Sequence, residues 1–134
     1  MKISSKGRYA VRVMVDIATS NKEYVSLSEI ADRQSISVKY LERIVSKLTK
    51  AELLDSLKGS LGGYKLTKQP KDYSIAQILS VTGDLPELAP CQKLKAQCPN
   101  KKDCSTIGCW ENLTKIIYDY LNSISLQDLI NKTF

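Results

Sequence analysis

Apolar side chains recur at helical spacing through the first fifty residues, and serines punctuate them. Tyr9, Ala10, Val13, Met14, Ile17 and Ala18 share one face of a helix predicted over residues 5 to 20. Arg8, Arg12 and Asp16 step along another face, and Val11 and Val15 widen the apolar arc, so this helix should be covered on more than one side. Ser26 with Glu29 predicts a capping box opening a short second helix that buries Leu27, Ile30 and Ala31. Ser37 caps a third helix running to about Ala51. Leu41, Ile44, Val45 and Leu48 form its core stripe. Lys39, Arg43, Lys47 and Lys50 fall within about 80° of one another on the opposite side, at ~100° per residue. Tyr40, Glu42 and Ser46 flank them.

The period then changes. Leu53, Leu54 and Leu57 lead into Lys58-Gly59-Ser60-Leu61-Gly62-Gly63, after which Tyr64 to Thr67 alternates. This predicts a β-hairpin with a glycine-rich tip. The loop joins two strands, lacks the Gly-Lys-Ser/Thr ending and opens no helix, so it is not a nucleotide cradle. Pro70 ends the hairpin, Ser74 with Gln77 caps a short helix, and Gly83 stops it. Residues 84 to about 104, with Pro86, Pro90 and Pro99, show no period and read as a loop. A last long helix begins between Ser105 and Trp110 and carries Trp110, Leu113, Ile117, Tyr120, Leu121 and Ile124 at spacings of three and four. That stripe suits a two-fold helix–helix interface better than a lone surface helix. Ser125 with Asp128 caps a terminal turn. The expected fold is mainly α: a winged helix-turn-helix domain with a small β-hairpin wing, plus a long C-terminal dimerisation helix. The divisions are residues 1–83 for the winged domain, 84–109 for a cysteine-containing sensor loop and 110–134 for the dimerisation helix and C-terminal turn.

Composition narrows the chemistry. The 134 residues, 43% hydrophobic and 25% charged, suit one globular domain. The chain has no histidine, which excludes histidine-dependent nucleophilic catalysis and any metal site with a histidine ligand. No assembly of nucleophile, base and pocket points to an enzyme. No apolar run is long enough to span a membrane, and Arg12 and Asp16 break the N-terminal one, so no secretion signal is read and a cytoplasmic location is expected. The net charge of +6 lies wholly in residues 1–68, with thirteen Lys and Arg against seven Asp and Glu; the remainder balances at seven against seven. A basic half carrying a helix-turn-helix pattern is the footprint of a DNA-binding module.

The four cysteines cluster as Cys91-x6-Cys98-x5-Cys104-x4-Cys109, without the short C-x2-C pairs of zinc ribbons. Thiolates from one loop suit an iron–sulfur cluster, and Lys93, Lys95, Lys101 and Lys102 would favour the thiolate form. A thiol redox switch is the competing reading of the same residues. Cys109 could also be a small hydrophobe beside Trp110.

The segments Lys2 to Ala10, Ser28-Glu29-Ile30-Ala31, Ile36 to Glu42, Leu48 to Ala51, Gly62 to Leu66 and Ile124 to Leu129 together resemble the Rrf family of bacterial winged-helix regulators. The resemblance covers essentially the whole chain. It implies a homodimer binding a roughly palindromic operator in double-stranded DNA, with three cysteines before the dimer helix holding a cluster, 2Fe–2S above all. Cys91, Cys98 and Cys104 match those three. Where the family's iron–sulfur biogenesis branch has a histidine ligand this chain has Ile107, and where some nitric-oxide sensors place an acidic ligand it has Arg8. Cys109, a residue of the partner subunit or none completes the set.

The expected function is a transcription regulator, acting as a repressor, that senses cluster, redox or nitrosative state. A cluster-free thiol- or metabolite-responsive regulator of cysteine metabolism on the same fold is the nearer alternative, and a small electron-transfer iron–sulfur protein the remote one. Lys39, Tyr40, Glu42, Arg43, Ser46 and Lys47 are expected in the major groove, with Arg43 on guanine and Glu42 accepting from cytosine. Arg8, Arg12 and Lys50 are expected on phosphates, Ser28 beside them on the second helix, and Lys58 with Gly59 at the wing tip on the minor groove or backbone.

Overall fold

The computed structural model describes residues 2–93 and 98–134; Lys95 lies outside the described residues. Helix α1 (Ser5–Thr19) is followed by α2 (Leu27–Gln34) and α3 (Val38–Lys50), then strands β1 (Leu54–Leu57) and β2 (Gly63–Leu66). A 3-10 turn (Pro70–Asp72) leads to α4 (Ile75–Thr82), the four-residue α5 (Pro90–Lys93), a second 3-10 turn (Lys101–Asp103), α6 (Ile107–Ser123) and α7 (Leu126–Asn131).

The caps are the expected ones. Ser26 and Ser125 each form a reciprocal capping box, with Glu29 and Asp128. Ser37 and Ser74 each accept one backbone N–H, and Gln77 does not return the bond. Gly83, in the left-handed region at φ 79°, ends α4.

Ala10, Val13, Met14 and Ile17 of α1 meet Leu41, Ile44, Val45 and Leu48 of α3 and Ile75, Ile78 and Leu79 of α4 in one core. Truncating one of these leucines to alanine typically costs about 2–5 kcal/mol, so the stripe on α3 is what holds that helix to the body. The buried Tyr73 fastens the wing to this core: its hydroxyl accepts from Thr67 N and Lys68 N, both at 2.8 Å, and donates to Leu53 O at 3.0 Å.

The wing is a two-stranded antiparallel hairpin, Leu54 opposite Leu66 and Leu57 opposite Gly63. A third segment joins it. Val25 N donates to Tyr64 O and Tyr64 N to Val25 O, each at 2.9 Å. This approach needs glycine at Gly63, where a Cβ would stand 2.3 Å from Val25 O.

Two differences from the sequence reading bear on function. The stretch expected to be an irregular loop contains α5, and Cys91 lies on it. Gln92 accounts for this: its Oε1 accepts from Leu88 N at 3.0 Å and Ala89 N at 3.1 Å, satisfying donors at the start of that turn. The C-terminal turn, expected to accompany the dimer helix, plugs the winged domain. Leu126 is fully buried in the common core, Leu126 N donates to Tyr73 O, and Ile75 N donates to Ile124 O, both at 2.9 Å.

Candidate DNA interface and cysteine segment

Helix α3 is amphipathic in the way a reading helix must be. Its apolar stripe is buried, while Lys39, Glu42, Arg43, Ser46, Lys47 and Lys50 are exposed. Among the described residues these six side chains form no hydrogen bond or ion pair, so their charge faces solvent. Tyr40 differs from its neighbours. It is half-buried and packs edge-to-face on Tyr9 of α1, ring centroids 5.8 Å apart, so it positions α3 on α1 as well as bordering the basic stripe.

Helix α2 is bolted to α1 by a buried carboxylate. Asp16 of α1 accepts from Arg33 Nη2 and from Gln34 Nε2, each at 2.7 Å, with Arg33 Nε at 3.1 Å from its second oxygen. Arg33 is held charged, its pKa raised first by the hydrogen bond to Asp16, against the opposing effect of burial, with the charges of Asp16 and Glu29 adding to the rise. Ser28 is exposed on α2.

The predicted phosphate contacts divide. Lys50 stands free on α3. Arg12, although exposed, donates from Nε to Gln34 Oε1 at 2.9 Å and from Nη2 to Gln34 O at 2.8 Å, and lies over the Tyr9 ring at 5.4 Å. It closes the C-terminus of α2, where a cation is favourable. Arg8 donates to Ser5 Oγ at 3.1 Å, a weak exposed bond that leaves its charge outward. At the wing tip Lys58, Gly59 and Leu61 are all exposed, and Gly59 adopts φ 111°.

The cysteines lie along the path from α4 to α6. All four are free thiols; Cys91, Cys98 and Cys104 are half-buried and Cys109 is exposed in the first turn of α6. Cys104 precedes that helix, and its thiol pKa is lowered, first by the Thr106 hydroxyl at 3.5 Å and then by the backbone N–H groups of Thr106 and Ile107. Among the described residues no three Cys, Asp or Glu side chains come together as a metal site. The donor set itself is soft and purely thiol, which fits iron–sulfur ligation. Gln92 ties this segment to α6, donating from Nε2 to Thr114 Oγ1 at 2.9 Å and to Trp110 O at 3.2 Å. Between Leu85–Glu87 and the Glu111, Thr114, Lys115 and Tyr118 face of α6 runs an open groove of about 530 Å³.

The fold and these surfaces match known proteins over nearly the full chain. The profile of the Rrf2 family, described as iron-dependent transcriptional regulators, matches residues 3–132. The chain belongs to the Rrf2 family. A helix-turn-helix-type regulator of Neisseria meningitidis is 41% identical over 133 residues, covering 98% of this chain and 89% of its own length. The helix-turn-helix-type regulator IscR of Vibrio vulnificus is 40% identical over 132 residues, covering 98% and 78%. Among solved structures, CymR, the global cysteine regulator of B. subtilis, superposes with a TM-score of 0.78 at 31% identity, covering 100% and 99%; T. potens IscR gives 0.75 at 34%, covering 100% and 89%.

Rrf2 membership makes this chain a DNA-binding, winged-helix transcription regulator of the IscR-like kind and not an enzyme. It also sets aside the electron-transfer reading. Among the described residues no helix is long and apolar enough to cross a membrane. Two structural residues were missed in the sequence, Asp84 and Gln92. Each has partners far along the chain as well as near ones, and no local pattern marks them.

Proposed function

We propose that this Rrf2 protein acts in the cytoplasm as a homodimeric repressor on a roughly palindromic operator, with residues 1–83 reading DNA, 84–109 sensing and 110–134 pairing the subunits through α6. The observation that carries the DNA reading is the unpaired cationic face of α3, set opposite its buried stripe. Arg43 then takes guanine O6 and N7, Glu42 accepts from cytosine N4 and, because it repels phosphate, excludes sequences that do not offer that donor, and Ser46 and Lys47 border them. Lys39 and Tyr40 enter the groove beside them, Lys50 and Arg8 hold phosphates with Ser28 beside them, and Lys58 with Gly59 follows the wing along the duplex. Arg12 supports this surface from behind, through Gln34.

For sensing, Cys91, Cys98 and Cys104 would hold a 2Fe–2S cluster, with Cys109 available as a fourth thiolate. The family description as iron-dependent and the all-thiol donor set support this assignment. Such a cluster supplies a centre that oxidants and nitric oxide can alter. Because the thiols are not gathered among the described residues, binding would couple to closure of the segment around the metal. Gln92 then keeps Cys91 registered on α6. The thiol-switch reading keeps one specific support, the lowered pKa of Cys104 at the start of α6.

The DNA reading is tested by anisotropy on promoter duplexes across a salt titration. Arg43→Ala should lose about 1–3 kcal/mol on the specific site and relax discrimination there, while Lys50→Ala should weaken all duplexes alike and lower the salt slope by about 1. Two variants that bind like the parent would remove α3 from the interface.

A further inference from the structure

Asp84 is the first residue of the cysteine segment, yet its side chain belongs to α1. Its Oδ1 accepts from Ser4 N at 2.8 Å, and its Oδ2 accepts from Ser4 Oγ at 2.9 Å and from the buried Thr82 hydroxyl at 2.6 Å. Ser4 is the N-cap of α1, and its Oγ at the same time accepts from Gly7 N at 3.1 Å. The carboxylate therefore completes the helix cap from eighty residues away. Gly7 makes room for it: a Cβ there would stand 2.6 Å from Asp84 Oδ2. On its other side Asp84 is fixed to the end of α4, its N–H bonded to Leu79 O at 3.0 Å.

These contacts form a continuous path. Asp84 and Cys91 are separated by a stretch that can reach at most about 25 Å when extended, and Gln92 pins the far end of it to α6. At the near end, two residues past Gly7, Tyr9 packs on Tyr40 in the first turn of α3. We infer that Asp84 is a positioning residue that transmits the state of the cysteine segment to α1, and through Tyr9 and Tyr40 to the DNA-reading helix. Ordered, the segment holds the carboxylate in the cap and α1 in register. Displaced, it draws the carboxylate away, the first turn of α1 frays and α3 loses a support.

The inference rests on the proposed sensing role of the cysteines and is tested without any cluster. Metal-free full-length protein is compared before and after alkylation of its thiols by iodoacetamide, following amide exchange at Ser4, Gly7 and Arg8 and affinity for a promoter duplex. In the parent, alkylation should speed exchange at these amides about tenfold and weaken DNA binding. Asp84→Ala should show fast exchange and weak binding from the start and no response to alkylation. Gly7→Ala, which displaces the carboxylate while giving α1 a better helix former, should be equally unresponsive. The double variant should match Asp84→Ala alone instead of adding to it. A parent whose α1 amides ignore alkylation, or an Asp84→Ala protein that responds as the parent does, would overturn the inference. Failure of the cluster assignment would show separately, as absence of iron and sulfide.

Discussion

The side-chain amide of Gln92 donates to the Thr114 hydroxyl at 2.9 Å, joining the residue after the first cysteine to the middle of α6. The other end of the same amide accepts two backbone N–H groups, so one side chain organises α5 and docks it. Gln92→Ala removes both functions without touching the core. Its thermal midpoint should stay within a few degrees of the parent, whereas exchange at Leu88 and Ala89 should rise. A reconstituted cluster should also be lost faster to a chelator. Unchanged exchange at those two amides would deny Gln92 its organising role.

Helix α6 buries no residue in the single chain, although Trp110, Leu113, Ile116 and Tyr120 lie along it. Ile116 is 64% exposed and Tyr120 56%, unusual for a structured apolar stripe. The proposed homodimer, with a second copy covering that face, would account for it. Replacing Leu113 and Ile116 together by Asp should convert a dimer into a monomer in light scattering, and lower operator affinity by about a hundredfold through loss of bivalent binding. A parent already monomeric at micromolar concentration would refute the dimer.

Acid should weaken the fold through its caps. Glu29 is held at a pKa of about 2, chiefly by the Lys22 ammonium and then by Ser26 N–H and hydroxyl. For Asp84, burial pulls upward, but the Thr82 hydroxyl, both Ser4 donors and the charge of Lys6 outweigh it and hold the carboxyl below its usual range. Asp128 is lowered by Ser125. A depressed folded-state pKa gives stability that is complete above the unfolded value near ~4 and is lost as pH falls through the folded one. The thermal midpoint should therefore drop between about pH 4 and pH 2, and the drop should be shallower in Glu29→Gln. Equal slopes in parent and variant would show that Glu29 carries no linked proton.

Much of this architecture is legible in sequence because it is local. The stripe of α3, the serine caps and the glycine-rich wing announce themselves by period and spacing, and the family resemblance rests on the same residues. What escapes is long-range. Arg12 reads as one more cation stepping along α1, and only the fold brings it to Gln34, twenty-two positions away. Val25 carries no strand pattern and joins the wing because Gly63 lets two backbones meet. Leu126 looks like part of a terminal turn, and its burial depends on where Tyr73 has been placed. The cysteines are visible as a group, but which of them share a metal depends on how the segment closes.

In the proposed mechanism the cysteine segment sets DNA affinity through an iron–sulfur cluster. This is tested most directly by measuring operator binding of anaerobically reconstituted and chelator-stripped protein side by side, with iron and acid-labile sulfide determined on each sample. About two irons and two sulfides per chain are expected in the reconstituted sample. Operator affinity should differ at least about fivefold between the two samples, with both effects lost in Cys98→Ala. A colourless, iron-free protein, or loaded and stripped samples that bind the operator identically, would contradict this mechanism.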